Sequence, residues 1–221
     1  MGTSSSKTEK EVTINTQANP PTKNELDELY SYESAICKIE FKTIKDGKIV
    51  DSSGIGFFCE INDDNIPFKK ALFTNNHVLD EKSIEIDKEI QFEYLKKKNI
   101  IKITKNRKTF TNIEFDYTCI GIIDTDKINK FFKIDEIIFN DKNSLINKEI
   151  FILQYAYGGD LSNSQGKIMD IENIKIKHSA STEKGSSGSP LLKRYNNNLV
   201  IGIHFGVEIN KKNIFNLATP L

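Results

Sequence analysis

From Ile36 onward the sequence breaks into short runs rich in Ile, Phe, Val and Tyr, each closed within a few residues by Asn, Asp, Gly or Lys. β-Branched and aromatic residues suit a pleated, half-buried surface, and such runs bounded by turn formers read as strands. Candidate strands cover 35–44, 54–62, 69–75, 88–95, 100–105, 116–123, 148–155, 167–176, 190–195, 198–205 and 213–218. Alternating βα units are absent, so the fold class is all-β, an antiparallel barrel or sandwich protein. The polar stretch 140–147 divides the strands and reads as the crossing between two antiparallel β-barrels, one over about 35–139 and one over about 148–221. A chain of 221 residues is long enough for a large core of this kind.

The first 34 residues differ in character and read as a flexible arm. Met1-Gly2-Thr3-Ser4-Ser5-Ser6-Lys7 fits the acceptor pattern for N-myristoylation at Gly2; a plain polar terminus is the competing reading. One acyl chain gives marginal membrane affinity, with a partition constant of roughly 10⁴ M⁻¹. Lys7 and Lys10 are offset by Glu9 and Glu11, and no cysteine is near for a second acyl group. Reversible membrane association is therefore expected, not a fixed anchor. Thr8 to about Thr22, with Pro20-Pro21, reads as a spacer, and 23–33 as a short helix with Leu26, Leu29 and Tyr30 on one face.

Neither a long apolar span nor the apolar core of a secretory signal is present. Cys37, Cys59 and Cys119 are an odd, scattered set inside apolar runs, which reads as buried free thiols. An intracellular, cytoplasmic protein, peripheral on a membrane through its lipid and not secreted, is expected. The 31 basic and 31 acidic residues cancel, so no nucleic-acid partner is indicated. The one basic stretch, 96–108, interleaves lysines and Arg107 with isoleucines and reads as the solvated face of a strand or hairpin.

Chemistry concentrates in three segments. Gly185-Ser186-Ser187-Gly188-Ser189-Pro190 packs glycines and hydroxyls into a turn before an apolar strand, where a nucleophile and backbone N–H groups can be presented together. Alone, such a turn is a weak signal. In Thr74-Asn75-Asn76-His77-Val78 a strand runs into His77, a candidate general base; the chain has 3 histidines, the others being His178 and His204. A lone histidine beside apolar residues is more often structural. Asp116, in Phe115-Asp116-Tyr117-Thr118, heads an apolar strand, where a carboxylate needs a partner such as an imidazole N–H.

Together with Gly54-Ile55-Gly56-Phe57-Phe58, and in the order His, Asp, Ser, these segments resemble the trypsin-like (chymotrypsin-fold) serine peptidases over about 35–218. The resemblance implies two β-barrels with the active site in the cleft between them. It further implies a catalytic triad of His77, Asp116 and Ser187, an oxyanion hole from the N–H groups of Gly185 and Ser187, and a protein or peptide substrate. No metal or cofactor enters this reading. Secreted digestive members carry aspartate before the nucleophile, to pair with an amino terminus freed by zymogen cleavage. Ser186 stands there instead, so activity without zymogen processing is expected.

Thr182 and His204 are similar to the pair with which the glutamyl endopeptidases bind a glutamate side chain, and imply that preference; Ser181, Phe205 and Gly206 complete the implied pocket. A threonine in the pocket wall and a histidine satisfied by backbone are the plain alternatives. Val207 stands where that branch often has glycine, and Ser181 lacks the charge that would select Lys or Arg. Leu221 follows the last strand without the terminal helix of many relatives, so the chain reads as shortened there. The rival to an enzyme is a catalytically inactive fold of the same type, acting as a membrane-tethered peptide-binding or interaction module.

Overall fold

A computed structural model describes residues 18–45, 47–135, 137–195, 198–209 and 214–221. Gly2 and the first half of the arm, residues 1–17, lie outside the described residues. The first unit begins with a long hairpin of β1 (Ile36–Lys45) and β2 (Lys48–Glu60), paired from Ile36 opposite Phe57 to Lys45 opposite Lys48. It continues with β3 (Lys70–Thr74), β4 (Glu89–Tyr94), β5 (Lys97–Lys102), β6 (Thr109–Asn112) and β7 (Tyr117–Gly121), while β8 (Phe132–Lys133) pairs parallel to β2. The order along the sheet is β5-β4-β1-β2-β3-β7-β6. Ile90, Phe92 and Ile101 from one end share a core with Ile120 of β7, around Phe58 and Leu72. The sheet is thus curled into a half-barrel, with β5 and β6 as its edges.

The second unit is a closed barrel in the order β10-β11-β14-β13-β12-β9. Its strands are β9 (Glu149–Gln154), β10 (Ser162–Glu172), β11 (Lys175–His178), β12 (Pro190–Lys193), β13 (Leu199–Ile209) and β14 (Ile214–Pro220). Ile150, Ile152, Ile168, Ile176, Leu191 and Ile201 fill its interior. The expected all-β, two-unit architecture is the one found, with one unit closed and the other curled.

The run Gly54-Ile55-Gly56-Phe57-Phe58-Cys59 is buried throughout, because β2 packs on both faces. Phe58 points into the first unit's core, while Ile55, Phe57 and Cys59 join a second core shared with Phe151, Leu153, Leu192 and Ile203 of the barrel. Each large side chain buried in that seam contributes roughly 1.5–3 kcal/mol, which holds the two units as one body and fixes the cleft between them.

The arm is fastened earlier than its polar composition suggests. Helix α1 (Lys23–Tyr30) starts at a capping box, with Thr22 Oγ1 accepting from the Glu25 N–H and Glu25 Oε2 from the Thr22 N–H. Leu29 is fully buried, and Arg194, only 4% exposed, donates to the Asn19 and Pro20 carbonyls and to the Glu25 and Glu149 carboxylates. The segment read as a spacer to Thr22 is therefore docked from Asn19.

Other expectations are corrected. The crossing at 140–147 holds the end of a short helix, α2 (Ile137–Asn140), and a 3₁₀ turn at Lys142–Leu145 whose Leu145 is buried. The run 167–176 is two strands, turning at Asn173 with φ +50°. The 96–108 stretch is largely the β4–β5 hairpin as expected, but Arg107 leaves the solvated face. It is buried in a bidentate pair with Asp126 and also donates to the Lys102 and Gly121 carbonyls. Cys37, Cys59 and Cys119 are free and buried.

Candidate active site

His77 sits on a single helical turn at the end of β3. Thr74 closes the strand by donating its hydroxyl to the Ile55 carbonyl at 2.7 Å, and the Asn75 carbonyl accepts from the Val78 and Leu79 N–H groups. Asn76, Val78 and Leu79 are buried on either side, so the turn is locked while the His77 side chain stays 45% exposed. Asp116 precedes β7 at φ +48°, a left-handed conformation that Asp tolerates better than most side chains. Asn75 holds that corner by donating to the Asp116 carbonyl, and Thr219 of the barrel donates to the Phe115 carbonyl.

The result is a two-point grip. Asp116 Oδ2 lies 2.7 Å from His77 Nδ1, and Asp116 Oδ1 accepts from the His77 backbone N–H at 3.0 Å. A carboxylate at Nδ1 favours the proton there, which leaves Nε2 as the ring's acceptor.

Ser187 comes from the loop between β11 and β12. Its carbonyl accepts from the Ile55 N–H at 2.7 Å, so β2 holds the turn of His77 through Thr74 and the loop of Ser187 through neighbouring backbone atoms. Gly54 lies in the same seam: a Cβ there would meet Val78 side-chain carbons at 2.7 and 2.8 Å and the Ser187 carbonyl oxygen at 3.3 Å. Gly188, at φ +90°, would place a Cβ 1.9 Å from the Ile55 carbonyl oxygen, so only glycine fits. The three candidate residues, distant in sequence, are thus carried to one seam. The Ser187 hydroxyl makes no hydrogen bond among the described residues; unliganded catalytic contacts are often long.

The loop's backbone N–H groups divide into two sets. Those of Ser186, Gly188 and Ser189 donate to the carbonyls of Glu183, His204 and Ser186. Those of Gly185 and Ser187 have no acceptor among the described residues. Ser186 is buried, accepts from the Glu183 N–H at 3.0 Å and donates to Gln154 Oε1 at 2.6 Å. Gln154 Nε2 in turn reaches the Ser181 carbonyl at 3.4 Å. An internal hydrogen-bond bridge thus braces the Ser187 loop.

The pocket candidates line up behind that loop. Thr182 Oγ1 donates to Asn216 Oδ1 at 2.7 Å, and Asn216 Nδ2 donates to the Ala180 carbonyl. His204 is buried at a bulge of β13 that spans Phe205 and Gly206. Its Nδ1 is 3.4 Å from Nε2 of the fully buried His178, whose Nδ1 has no partner among the described residues. Burial first, and then the neighbouring His77, pull the His204 imidazole down to about 3, against a weaker pull from the Leu217 carbonyl. Burial, with His204 beside it, holds His178 well below the usual imidazole range. Both rings are neutral at pH 7. If His178 donates from Nε2 to His204 Nδ1, the His204 proton sits on Nε2, the remaining face of its ring. Gln154, Asn216 and the contact of His178 with His204 are the features sequence reasoning missed. The one available signal was a glutamine ending the apolar run Ile150-Phe151-Ile152-Leu153-Gln154.

Solved structures share this architecture. The Rv3671c protease of M. tuberculosis in its active form superposes with a TM-score of 0.65 at 15% identity, covering 98% of this chain and 89% of that one. The HtrA-type protease AlgW with tripeptide gives 0.60 at 15% identity, over 90% and 60%. The serine endoprotease from Yersinia pestis gives 0.60 at 15% identity, over 92% and 64%. At that identity they establish the fold. The sequence itself matches the model of the trypsin-like peptidase domain over residues 54–203, a span containing His77, Asp116 and Ser187. The chain belongs to the trypsin-like peptidase domain family and is, by that membership, a serine endopeptidase.

Proposed function

We propose that the chain hydrolyses peptide bonds through an acyl-enzyme on Ser187, with His77 as general base and then acid, and Asp116 as the group that orients it. The grip of Asp116 on both the ring and the backbone of His77 carries this reading. His77 Nε2 takes the Ser187 hydroxyl proton as oxygen attacks the carbonyl carbon, and the oxyanion draws on the uncommitted N–H groups of Gly185 and Ser187. Breakdown passes the proton from His77 to the leaving amine, and water repeats the sequence to release the acid. The Ser186–Gln154 bridge supports activity without zymogen cleavage, because the loop is braced by groups already in the chain.

We further propose glutamate before the scissile bond. Thr182, His204 and the half-buried Phe205 and Gly206 would line its site, with a neutral His204 offering an Nε2–H to the carboxylate and His178 behind it. A pocket built from hydrogen-bonding groups discriminates strongly against side chains that cannot satisfy them. For the arm, the proposal is reversible membrane association through a myristoyl group on Gly2. It predicts incorporation of an alkynyl myristate that Gly2→Ala abolishes.

The test joins a fluorophosphonate label with a peptide-library cleavage profile. Labelling of the folded wild type that Ser187→Ala removes, with cleavage after Glu, is expected. Absence of both labelling and turnover from folded protein would leave the binding-module reading in place, and cleavage after Lys or Arg would refute the pocket.

A further inference from the structure

Beside the seam lies an open trough of about 1050 Å³ that no step of the proposed reaction uses. One side of it is the nucleophile loop, at Lys184 and Gly185; others are Ser53 of β2, Leu79 of the His77 turn, and Tyr157 with Gly158. None of Ser181, Thr182, His204, Phe205 or Gly206 lines it. The trough therefore shares Gly185 with the oxyanion position and lies away from the acyl-side pocket. A peptide whose carbonyl oxygen rests on Gly185 and Ser187 leaves toward His77, which must protonate the departing amine. Leu79, two residues beyond His77, places the trough on that path.

Its lining carries Lys38, Lys42, Lys82, Lys88, Lys98 and Lys184 against Glu40, Asp51 and Glu89. Two of the lysines are spoken for: Lys38 pairs with Glu93 at 3.2 Å and Lys98 with Glu40 at 3.4 Å. Lys42, Lys82, Lys88 and Lys184 are exposed and enter no ion pair among the described residues. Asp51 and Glu89, with Asp80 near Lys82 and Glu183 on the Tyr157 hydroxyl at the margin, offset part of that charge, and the lining itself carries 6 lysines against 3 carboxylates. A concave surface lined by one excess sign of charge concentrates ligands of the other. The formal charge of the whole chain is zero, so the bias is local to this face.

We propose that the trough is the leaving-group subsite and that it selects acidic side chains in the residues following the scissile bond. The proposal rests on the serine-peptidase reading above and adds a substrate class to it: segments with Asp or Glu downstream of the cut. Several exposed lysines, not one fixed pocket, would do the reading, so the selectivity is graded and salt-sensitive.

The experiment uses the full chain and paired quenched-fluorescent peptides, identical up to the scissile bond and carrying Glu or Lys at the second, third and fourth positions after it. At about 20 mM salt the acidic peptide is expected to show about tenfold higher kcat/KM, shrinking to about two- or threefold near 0.5 M as screening shortens the field. Lys42→Glu, Lys88→Glu and Lys184→Glu together should bring the ratio to about one or invert it; being a ratio, it is insensitive to a common loss of activity. All three residues are exposed, and an unchanged melting temperature checks the fold. Equal cleavage of the two peptides by the wild type, or an acidic preference that survives the triple change, overturns the trough while the catalytic reading stands. An activated acyl ester with no leaving-group peptide, run beside the serine label, separates the other case. Failure of both ester turnover and labelling removes the catalytic reading, and this proposal with it.

Discussion

His77 and His204 carry the same side chain into opposite surroundings. His77 stands on a turn at the rim of the curled sheet, 45% of its side chain exposed, with a carboxylate 2.7 Å from its Nδ1. His204 is enclosed by the closed barrel, only 4% exposed, and its Nδ1 faces another imidazole at 3.4 Å. A carboxylate beside an accessible ring stabilises the imidazolium that proton transfer creates. A second neutral ring inside a barrel does the reverse and keeps the imidazole a donor of fixed direction. Partner and burial, not residue type, separate the base proposed at His77 from the neutral donor proposed at His204.

The largest effect is expected from removing the charge of Asp116 while keeping its shape. In Asp116→Asn the amide oxygen can still accept from the His77 backbone N–H, which turns the NH₂ toward Nδ1. Nδ1 must then accept, the ring proton moves to Nε2, and His77 can no longer take a proton from Ser187. A fall in kcat on the order of 10⁴ is expected with the fold retained. Burst kinetics on an activated ester and a melting curve check it. A variant within tenfold of wild type would show that the carboxylate merely braces the turn.

A smaller effect is expected where the barrel supports the same chemistry. Gln154→Leu removes the acceptor of the buried Ser186 hydroxyl and the contact to the Ser181 carbonyl. The hydroxyl still accepts from the Glu183 N–H, but a buried O–H without an acceptor costs about 1–3 kcal/mol, most cheaply relieved by letting the Ser187 loop move. Gly185 and Ser187 would then lose alignment, so kcat should fall by roughly tenfold or more while KM changes little. Gln154→Glu, which keeps an acceptor for Ser186, should recover part of it. Equal losses in both variants, or a change confined to the melting temperature, would make Gln154 structural only.

The contrast also marks what could be read before folding. The candidate residues His77 and Ser187 sit in segments marked by turn residues, the polar Thr74-Asn75-Asn76 closing an apolar strand and the glycines around Ser187, and Asp116 was read from its place at the head of an apolar strand. The run Gly54–Cys59 has no alternation, a sign of its burial on both faces that reading it simply as a strand left unused. Positions whose role depends on a distant partner were not legible. Arg107 resembles its lysine neighbours until Asp126, far along the chain, folds onto it. Arg194 clamps an arm that precedes it by about 170 residues, and nothing around Asn19 or Pro20 announces a partner. Strands as short as β8 hold too few residues for a periodic signal.

The gentlest probe of the comparison is acid. His178 and His204 both hold their protons less tightly when folded than the ordinary imidazole value of 6.5, His204 down to about 3. As pH falls through 6.5 the unfolded chain takes up protons that the folded barrel refuses. Their neutral burial therefore adds full stability above about pH 6.5, and that share is lost as pH drops toward the folded values. For His204 the loss between pH 7 and 5.5 is about 1 kcal/mol, and His178 adds to it in the same direction. Glu25 is separable, because Arg194, ahead of the Thr22 N–H, holds its carboxyl at about 2 against an ordinary 4.5. Its contribution is present above 4.5 and disappears only below that. Urea titrations at pH 7 and 5.5 should show the drop, and His204→Gln, which cannot titrate, should make it smaller. A wild-type stability that stays flat over this interval would mean that water reaches the pair and that the barrel does not enforce neutrality.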